Sequence, residues 1–199
     1  MNTRLLTPED TRVLARPGEV GVAREWVVWP SNSTDSFDVR ISSVELAAPG
    51  PFKTLSGFDR LLTVISGEGL VLSHGDAAPR ARIRRLEAYP FPGEWPTTAE
   101  LSKGVVTLFN VTTRRPQAEA QVETMRLGTR QVWEALDSPA AMIHCIGGSL
   151  AVRIADEDED FRLESGESLW MQNIEGSRDI EFEGLSTDCE VLMVGIRLG

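Results

Sequence analysis

Residues 61–73 read LLTVISGEGLVLS, two apolar runs on either side of a short segment that contains two glycines. Each run has the length and the content of Val, Ile, Leu and Thr that are typical of a buried strand. The glycines at positions 67 and 69 can adopt the positive φ angles that a tight turn requires. The stretch therefore predicts a β-hairpin.

The same arrangement recurs in the second half of the chain, where residues 141–154 read AMIHCIGGSLAVRI. Each copy is followed, after a polar segment and a further strand, by a Gly-Glu pair at 93–94 or at 166–167. An internal repeat of this kind predicts an architecture of two similar halves. Because the order matches that of a cupin half-barrel, we expect an all-β bicupin. Residues 1–199 then form a single bicupin domain, with an N-terminal half near 1–115 and a C-terminal half near 116–199.

The rest of the chain also favours an all-β fold, since short apolar runs alternate with Gly, Pro, Asp and Ser. The predicted strands cover residues 37–46, 60–66, 70–73, 82–88, 105–112, 121–127, 130–135, 141–146, 150–154, 161–163, 168–172, 179–182 and 190–198. Only two short helical turns are predicted, at 7–10, where Thr and Pro suit a helix start, and at 98–103.

Charge and hydropathy restrict the partners that we expect. The chain has 20 Lys+Arg against 30 Asp+Glu, a formal net charge of -10, which repels nucleic acid and anionic membranes. No apolar run approaches the roughly 18 residues of a membrane span, and the first residues lack the apolar core expected of a signal peptide. We therefore predict a cytoplasmic protein without nucleic-acid or membrane partners.

Histidine content argues against a metal site, and we expect no cofactor. Catalytic cupins use a closely spaced histidine pair, a glutamate and a further histidine, whereas this chain has two isolated histidines. His74 precedes Gly-Asp in a predicted turn, where we expect a solvated side chain. His144 alternates with apolar residues in a strand, where we expect a hydrogen-bonded interior side chain. We predict no metal.

Several motifs in the first 115 residues resemble those of a known family. Residues 37–44 read FDVRISSV, residues 50–60 read GPFKTLSGFDR, residues 91–95 read FPGEW and residues 110–115 read NVTTRR, with a weaker match in GVARE at 21–25. They resemble the blocks F-x-x-R-I-S-x-A, G-P-F-S-x-F-P-G-x-D-R, F-x-G-D-W, N-V-M-x-R-R and G-x-T-R-E of the HutD/Ves family, bicupins associated with bacterial histidine-utilisation genes. Lys53 stands where the family has serine, Leu108 where it has an acid and Thr112 where it has methionine.

The resemblance implies a non-catalytic protein that binds or senses a small carboxylate, with urocanate or formylglutamate as candidates from histidine breakdown. Arg40 and Ser42 lie two apart on a strand and share a face, where a guanidinium beside a hydroxyl suits a carboxylate. Arg60 opens the next strand, and the Asn110 amide can both donate and accept hydrogen bonds. Trp95, after the Gly-Glu pair, completes the predicted ligand-binding set.

Two alternatives remain open at the level of sequence. The chain could be a cupin enzyme of the isomerase or oxygenase type with an unknown substrate, or a metal-free acid–base catalyst that uses Glu94 or Glu45. It could also have an assembly role, with the edge of one barrel forming a homodimer. Isolated glutamates do not identify a general base, so we assign no catalytic residue.

Overall fold

The computed structural model describes residues 1–14, 22–30 and 36–199. Within these residues the chain forms strands and one short 3-10 turn, Pro8–Asp10. The strands are β1 (Asn2–Leu6), β2 (Arg12–Leu14), β3 (Val22–Trp29), β4 (Val39–Leu46), β5 (Gly50–Pro51), β6 (Phe58–Ser66), β7 (Leu70–Ser73), β8 (Ala81–Ile83), β9 (Ala88–Pro92), β10 (Thr98–Leu101), β11 (Val106–Arg114), β12 (Ala118–Arg126), β13 (Gln131–Leu136), β14 (Ala140–Gly147), β15 (Ser149–Ile154), β16 (Asp160–Glu164), β17 (Ser168–Gln172), β18 (Arg178–Gly184) and β19 (Glu190–Leu198). The predicted all-β class is confirmed. The described part of the chain contains no helix with the length and apolar character needed to cross a bilayer.

The chain divides into two compact units. The N-terminal unit comprises Thr11–Glu119 with Gly199, and the C-terminal unit comprises Ala120–Leu198 with Met1–Asp10. This division differs from the predicted boundary at the start of the chain. The first ten residues join the C-terminal unit because β1 pairs with β17 along its whole length, from Asn2 opposite Gln172 to Leu6 opposite Ser168.

Each unit contains two antiparallel sheets. In the N-terminal unit the strand orders are β2-β3-β4-β11-β6-β9 and β5-β10-β7-β8. In the C-terminal unit they are β12-β19-β14-β17-β1 and β13-β18-β15-β16. The order β4-β11-β6-β9 in the first unit thus corresponds to β12-β19-β14-β17 in the second, and the smaller sheets correspond strand by strand. This correspondence is the structural form of the internal repeat.

The strand-glycine-strand stretches that revealed the repeat are not hairpins. Strand β6 lies in the larger sheet of its unit and β7 in the smaller one, and β14 and β15 are divided in the same way. Positive φ angles at Gly67, Gly69 and Gly148 turn the chain from one sheet to the other. The glycine requirement was therefore correct, whereas the predicted pairing of the two strands was wrong.

Each unit buries its own apolar cluster, to which both sheets contribute. In the N-terminal unit, Val44, Leu62 and Leu108 of the larger sheet join Leu70 and Leu72 of the smaller one. In the C-terminal unit, the cluster draws on β14, β17 and β19 and on β15, β16 and β18, and it includes both free cysteines, Cys145 and Cys189. Alternate residues along each strand point inward, as the pleat of a strand requires.

Local predictions at the two proposed turns had different outcomes. At 7–10 a single 3-10 turn forms, with the Thr7 amide and hydroxyl both donating to Asp10 Oδ2 at 2.9 Å. At 98–103 the predicted turn is wrong, because Thr98–Leu101 is a strand that pairs with β7 and β5. Its sheet partners override a weak local preference for helix.

Candidate functional site

Three neighbouring strands place polar side chains side by side on one face of the larger sheet in the N-terminal unit. Strand β11 lies between β4 and β6, so that Thr112 pairs with both Arg40 and Arg60. Two residues along, Asn110 pairs with Ser42. Directly paired residues of an antiparallel sheet point to the same face. The register therefore brings residues from distant parts of the sequence into two adjacent polar rows.

These rows form part of a cavity within the N-terminal unit. Its lining comprises Arg40, Ser42, Val44, Leu46, Gly50, Pro51, Phe52, Lys53, Arg60, Leu108, Asn110 and Thr112. The space open to the centres of water molecules is about 40 Å³. A single water needs roughly 10–15 Å³ on this measure, so the cavity has room for a group of about carboxylate size.

The electrostatic character of the cavity is cationic. Two arginines and a lysine line it, and the described lining residues include neither aspartate nor glutamate. Ser42 and Thr112, which are 3% and 4% exposed, add hydroxyls that are nearly removed from bulk water. Arginine and hydroxyl groups in partly buried positions form strong, charge-assisted hydrogen bonds with carboxylates. The arrangement therefore suits a small anion.

Aromatic rings hold both guanidinium groups. The Arg40 guanidinium carbon lies 4.7 Å from the centre of the Phe37 ring, and that of Arg60 lies 5.9 Å from the centre of the Phe91 ring. Such contacts restrict the long arginine side chain. The N–H donors lie in the plane of the guanidinium group and remain available for hydrogen bonds. They reduce the entropy lost when the arginines bind a guest.

The segment after β5 forms another part of the cavity wall. The Arg60 guanidinium donates to the backbone carbonyl of Lys53, so this arginine supports the wall as well as lining the cavity. The Phe52 amide donates to the Thr97 carbonyl at 2.8 Å, and the Leu55 amide donates to the Gly93 carbonyl at 2.7 Å. Two of the sequence motifs, GPFKTLSGFDR and FPGEW, therefore meet in one structural element.

Gly93 permits this close approach. A Cβ atom at this position would lie 2.5 Å from the Leu55 carbonyl oxygen and 2.9 Å from that of Phe58. The Gly93 amide also donates to the Phe58 carbonyl at 2.7 Å. Any side chain here would push the segment that carries Lys53 away from its position.

Trp95 lies outside the cavity. Its ring centre is 5.0 Å from that of His74, in a cluster that also contains Tyr89 and Phe91. The structure thus brings together four of the five predicted site residues, Arg40, Ser42, Arg60 and Asn110, and places Trp95 in the packing beside them. Lys53, Thr112 and the apolar lining residues were not predicted. The two-residue spacing from Asn110 to Thr112 was a signal that could have identified Thr112.

His74 is fully buried, so the predicted solvated side chain is wrong. Its Nδ1 lies 2.9 Å from the Thr97 hydroxyl, and its Nε2 lies 3.2 Å from the Tyr89 hydroxyl. Thr97 donates its only hydroxyl proton to the Trp95 carbonyl, and therefore accepts one from Nδ1. Burial lowers the pKa of His74 and favours this neutral ring.

The donor groups do not fit a cupin metal site. His74 lies in the N-terminal unit and His144 in the C-terminal unit, and neither lines the cavity. His144 is buried with its Nδ1 2.8 Å from the Ser168 hydroxyl, the interior position expected for it, and burial lowers its pKa to about 4. Across the described residues no group of three or more His, Cys, Asp or Glu side chains could hold a metal ion.

The two glutamates considered as acid–base groups also lie outside the lining. Arg115 binds both carboxylate oxygens of Glu94, at 2.8 and 2.6 Å, and these hydrogen bonds lower the pKa of Glu94. Glu45 is exposed on β4. Neither position provides a carboxylate that faces a guest in the cavity.

Comparisons with known proteins agree with the motifs. Protein Ves of Cronobacter sakazakii is 37% identical over 103 residues, which cover 51% of this chain and 55% of that protein. The chain thus spans about half the length of the curated relatives that it matches. A conserved protein of unknown function from Pseudomonas aeruginosa has a similar structure, with a TM-score of 0.90 at 18% identity, over 99% of this chain and 100% of that one.

Two further structures define the fold. HutD from Pseudomonas fluorescens superimposes with a TM-score of 0.82 at 17% identity over the full length of both chains. A cupin 2 conserved barrel domain protein from Leptotrichia buccalis superimposes with a TM-score of 0.57 at 11% identity over 92% of each chain. The cupin fold is confirmed. The family model described as HutD matches residues 18–189, and the chain therefore belongs to the HutD family.

Proposed function

We propose that this chain is a non-catalytic binding protein that takes a small carboxylate into the cavity of its N-terminal unit. The observation that carries the proposal is the convergence of Arg40, Arg60 and Lys53 on a cavity whose described lining contains no acidic side chain. Such a site attracts an anion, and its hydroxyl and amide groups orient it.

The family supplies the candidate ligands. Membership of the HutD family supports a link to histidine utilisation, and urocanate and formylglutamate are acids of that breakdown route. Both carry a carboxylate that matches the arginine pair. The limited volume favours insertion of the carboxylate end of the ligand, while the remainder extends toward the opening.

Calorimetric titration of urocanate and formylglutamate tests the proposal. Arg40→Ala is the informative variant, because Arg60 also holds the Lys53 carbonyl and its removal would disturb the wall. A hydrogen bond to a charged group is worth about 1.5–3 kcal/mol, so we expect Arg40→Ala to weaken binding roughly 10- to 100-fold.

Arg82→Ala is the matched control, since Arg82 is an exposed arginine on β8 of the same unit that does not line the cavity. It removes one positive charge and should leave the affinity within about twofold of the wild type, as expected for a screened surface charge. Equal effects of the two variants, or no binding of either acid, would refute the carboxylate site.

Proton NMR of the ligand separates binding from catalysis. Each acid is incubated with a stoichiometric amount of protein, and its spectrum is followed over a day. We expect unchanged ligand signals apart from those broadened by binding. Conversion of either acid, lost in Arg40→Ala, would replace the binding proposal with the enzyme alternative.

A further inference from the structure

Glu25 continues the row of Ser42 and Asn110 onto a fourth strand, β3. In β3 it pairs directly with Ser42, which in turn pairs with Asn110. Paired residues share a face, so Glu25 is on the same side of the sheet as these two lining residues. Ala23, two positions earlier on β3, belongs to the apolar cluster of this unit and confirms that this side faces inward.

The environment of Glu25 is unusual for a carboxylate. The residue is 6% exposed, and its Oε2 has no hydrogen-bond partner among the described residues. Burial of an ionisable oxygen without a partner opposes folding, and such groups are rare in native proteins, so that each one calls for a specific explanation. Glu25 is not itself a lining residue, but it pairs directly with Ser42, which lines a cavity that presents cations and neutral polar groups.

We infer that Glu25 accepts a hydrogen bond from an N–H group of the ligand. The inference rests on the proposed carboxylate function and narrows its ligand class to amino acids and N-acylamino acids. Arg40 and Arg60 bind the carboxylate, and Glu25, one row away along the sheet, accepts a hydrogen bond from the neighbouring N–H group. Carboxylates of similar size that lack this N–H bind less well.

A different role for Glu25 would be that of a fixed counter-charge for the cavity arginines. The two roles differ in their effect on selectivity. A counter-charge changes the affinity of every anion to a similar degree, whereas an acceptor favours only ligands that donate. The ratio of two affinities therefore separates them.

The probes are formylglutamate, its N-methyl derivative, in which a methyl group replaces the N–H proton, and glutarate, which lacks the whole formylamino group. Titration calorimetry gives Kd for each. For the wild type we expect formylglutamate to bind about 10- to 100-fold more tightly than the N-methyl compound, since a hydrogen bond to a charged acceptor is lost.

Glu25→Met replaces the carboxylate with an apolar side chain of similar length. In Glu25→Met we expect the ratio of the Kd of the N-methyl compound to that of formylglutamate to fall to about one. Glu25→Gln, whose amide oxygen still accepts a hydrogen bond, should show an intermediate ratio. Glu45→Met is the control, because Glu45 is exposed on the adjacent strand β4, and its ratio should equal that of the wild type.

The results distinguish this inference from the proposed function. Equal affinities for the two formyl compounds in the wild type, or an unchanged ratio in Glu25→Met, would overturn the role of Glu25 while the carboxylate site stands. Failure of all three probes to bind would count against both the role of Glu25 and the carboxylate site. The wild-type ratio is a test that needs no variant, and so it does not depend on the folding of Glu25→Met.

Discussion

The buried imidazole of His144 should make the stability of this protein fall in mild acid. His144 lies in β14, opposite Ser168 and Leu192, and is 3% exposed. Burial lowers its pKa from 6.5 to about 4 in the folded protein. Between these values the unfolded chain binds a proton that the folded protein does not, so the free energy of unfolding decreases as the pH falls from 6.5 toward 4.

The magnitude follows from the two pKa values. Each pH unit in this interval changes the free energy of unfolding by 1.36 kcal/mol, so the loss reaches about 3 kcal/mol near pH 4. Domains of this kind are stable by only about 5–15 kcal/mol, which makes the effect readily measurable. Below pH 4 the folded protein also binds the proton, and the contribution of His144 no longer changes.

Urea denaturation at pH 7 and pH 4.5 measures this contribution by comparison with His144→Asn. Asparagine places a hydrogen-bonding atom near the position of Nδ1, which lies 2.8 Å from the Ser168 hydroxyl, but does not titrate. Carboxylates with lowered pKa values, such as Asp10, Glu94 and Glu164, also reduce the free energy of unfolding when they are protonated in acid. This reduction is equal in the wild type and in His144→Asn. We expect the wild type to lose about 2–3 kcal/mol more than the variant.

Ser168→Ala is the control that removes the hydrogen bond and keeps the imidazole. It should lower the free energy of unfolding at both pH values and retain the pH dependence of the wild type. Identical pH dependence in the wild type and His144→Asn would refute the reasoning, because it would mean that His144 is protonated equally in the folded and unfolded states.

Two further predictions concern the cavity wall and the second unit. Gly93→Ala should weaken carboxylate binding in calorimetry by about tenfold or more, because a Cβ atom 2.5 Å from the Leu55 carbonyl oxygen displaces the segment that carries Lys53; an unchanged Kd would mean that this segment does not contribute. Cys145 and Cys189 should not react with a thiol-specific aromatic disulfide at pH 8 in the native protein, and both should react in urea. They are 0% and 1% exposed, and burial raises the pKa of Cys145 to about 12. Rapid labelling of the native protein would contradict the packing of the C-terminal unit.

Much of the fold could be predicted because the relevant signals are local. Strands Leu70–Ser73, Ser168–Gln172 and Glu190–Leu198 begin and end where their apolar patterns do. The predicted strand at 82–88 was less accurate, since this segment contains parts of two strands, β8 and β9. Strands β1, β2, β3, β5 and β10 were not predicted at all. Except for the eight-residue, largely apolar β3, these missed strands are short or polar, and pairing with neighbours rather than their own composition places them in sheets.

The candidate site also combines features that local sequence signals predict with features that depend on strand pairing. Arg40 and Ser42 could be assigned to one face from their spacing, because side chains alternate along any strand. The presence of Thr112 beside Arg40, and of Glu25 beside Ser42, depends on which strands are neighbours and on their register. The binding role of these residues stays a prediction for the experiments above.

The amino-acid sequence by itself determined the β class, the internal repeat, the glycine positions and the family motifs, because strand periodicity, turn conformation and composition are properties of short segments. Only the tertiary structure decided that the repeated strand-glycine-strand stretches cross between sheets, that β1 joins the C-terminal unit, and that His74 is buried. The physical reason is that strand pairing and burial arise from contacts between residues far apart in the chain. A short segment has the same local pattern whichever distant strand it meets.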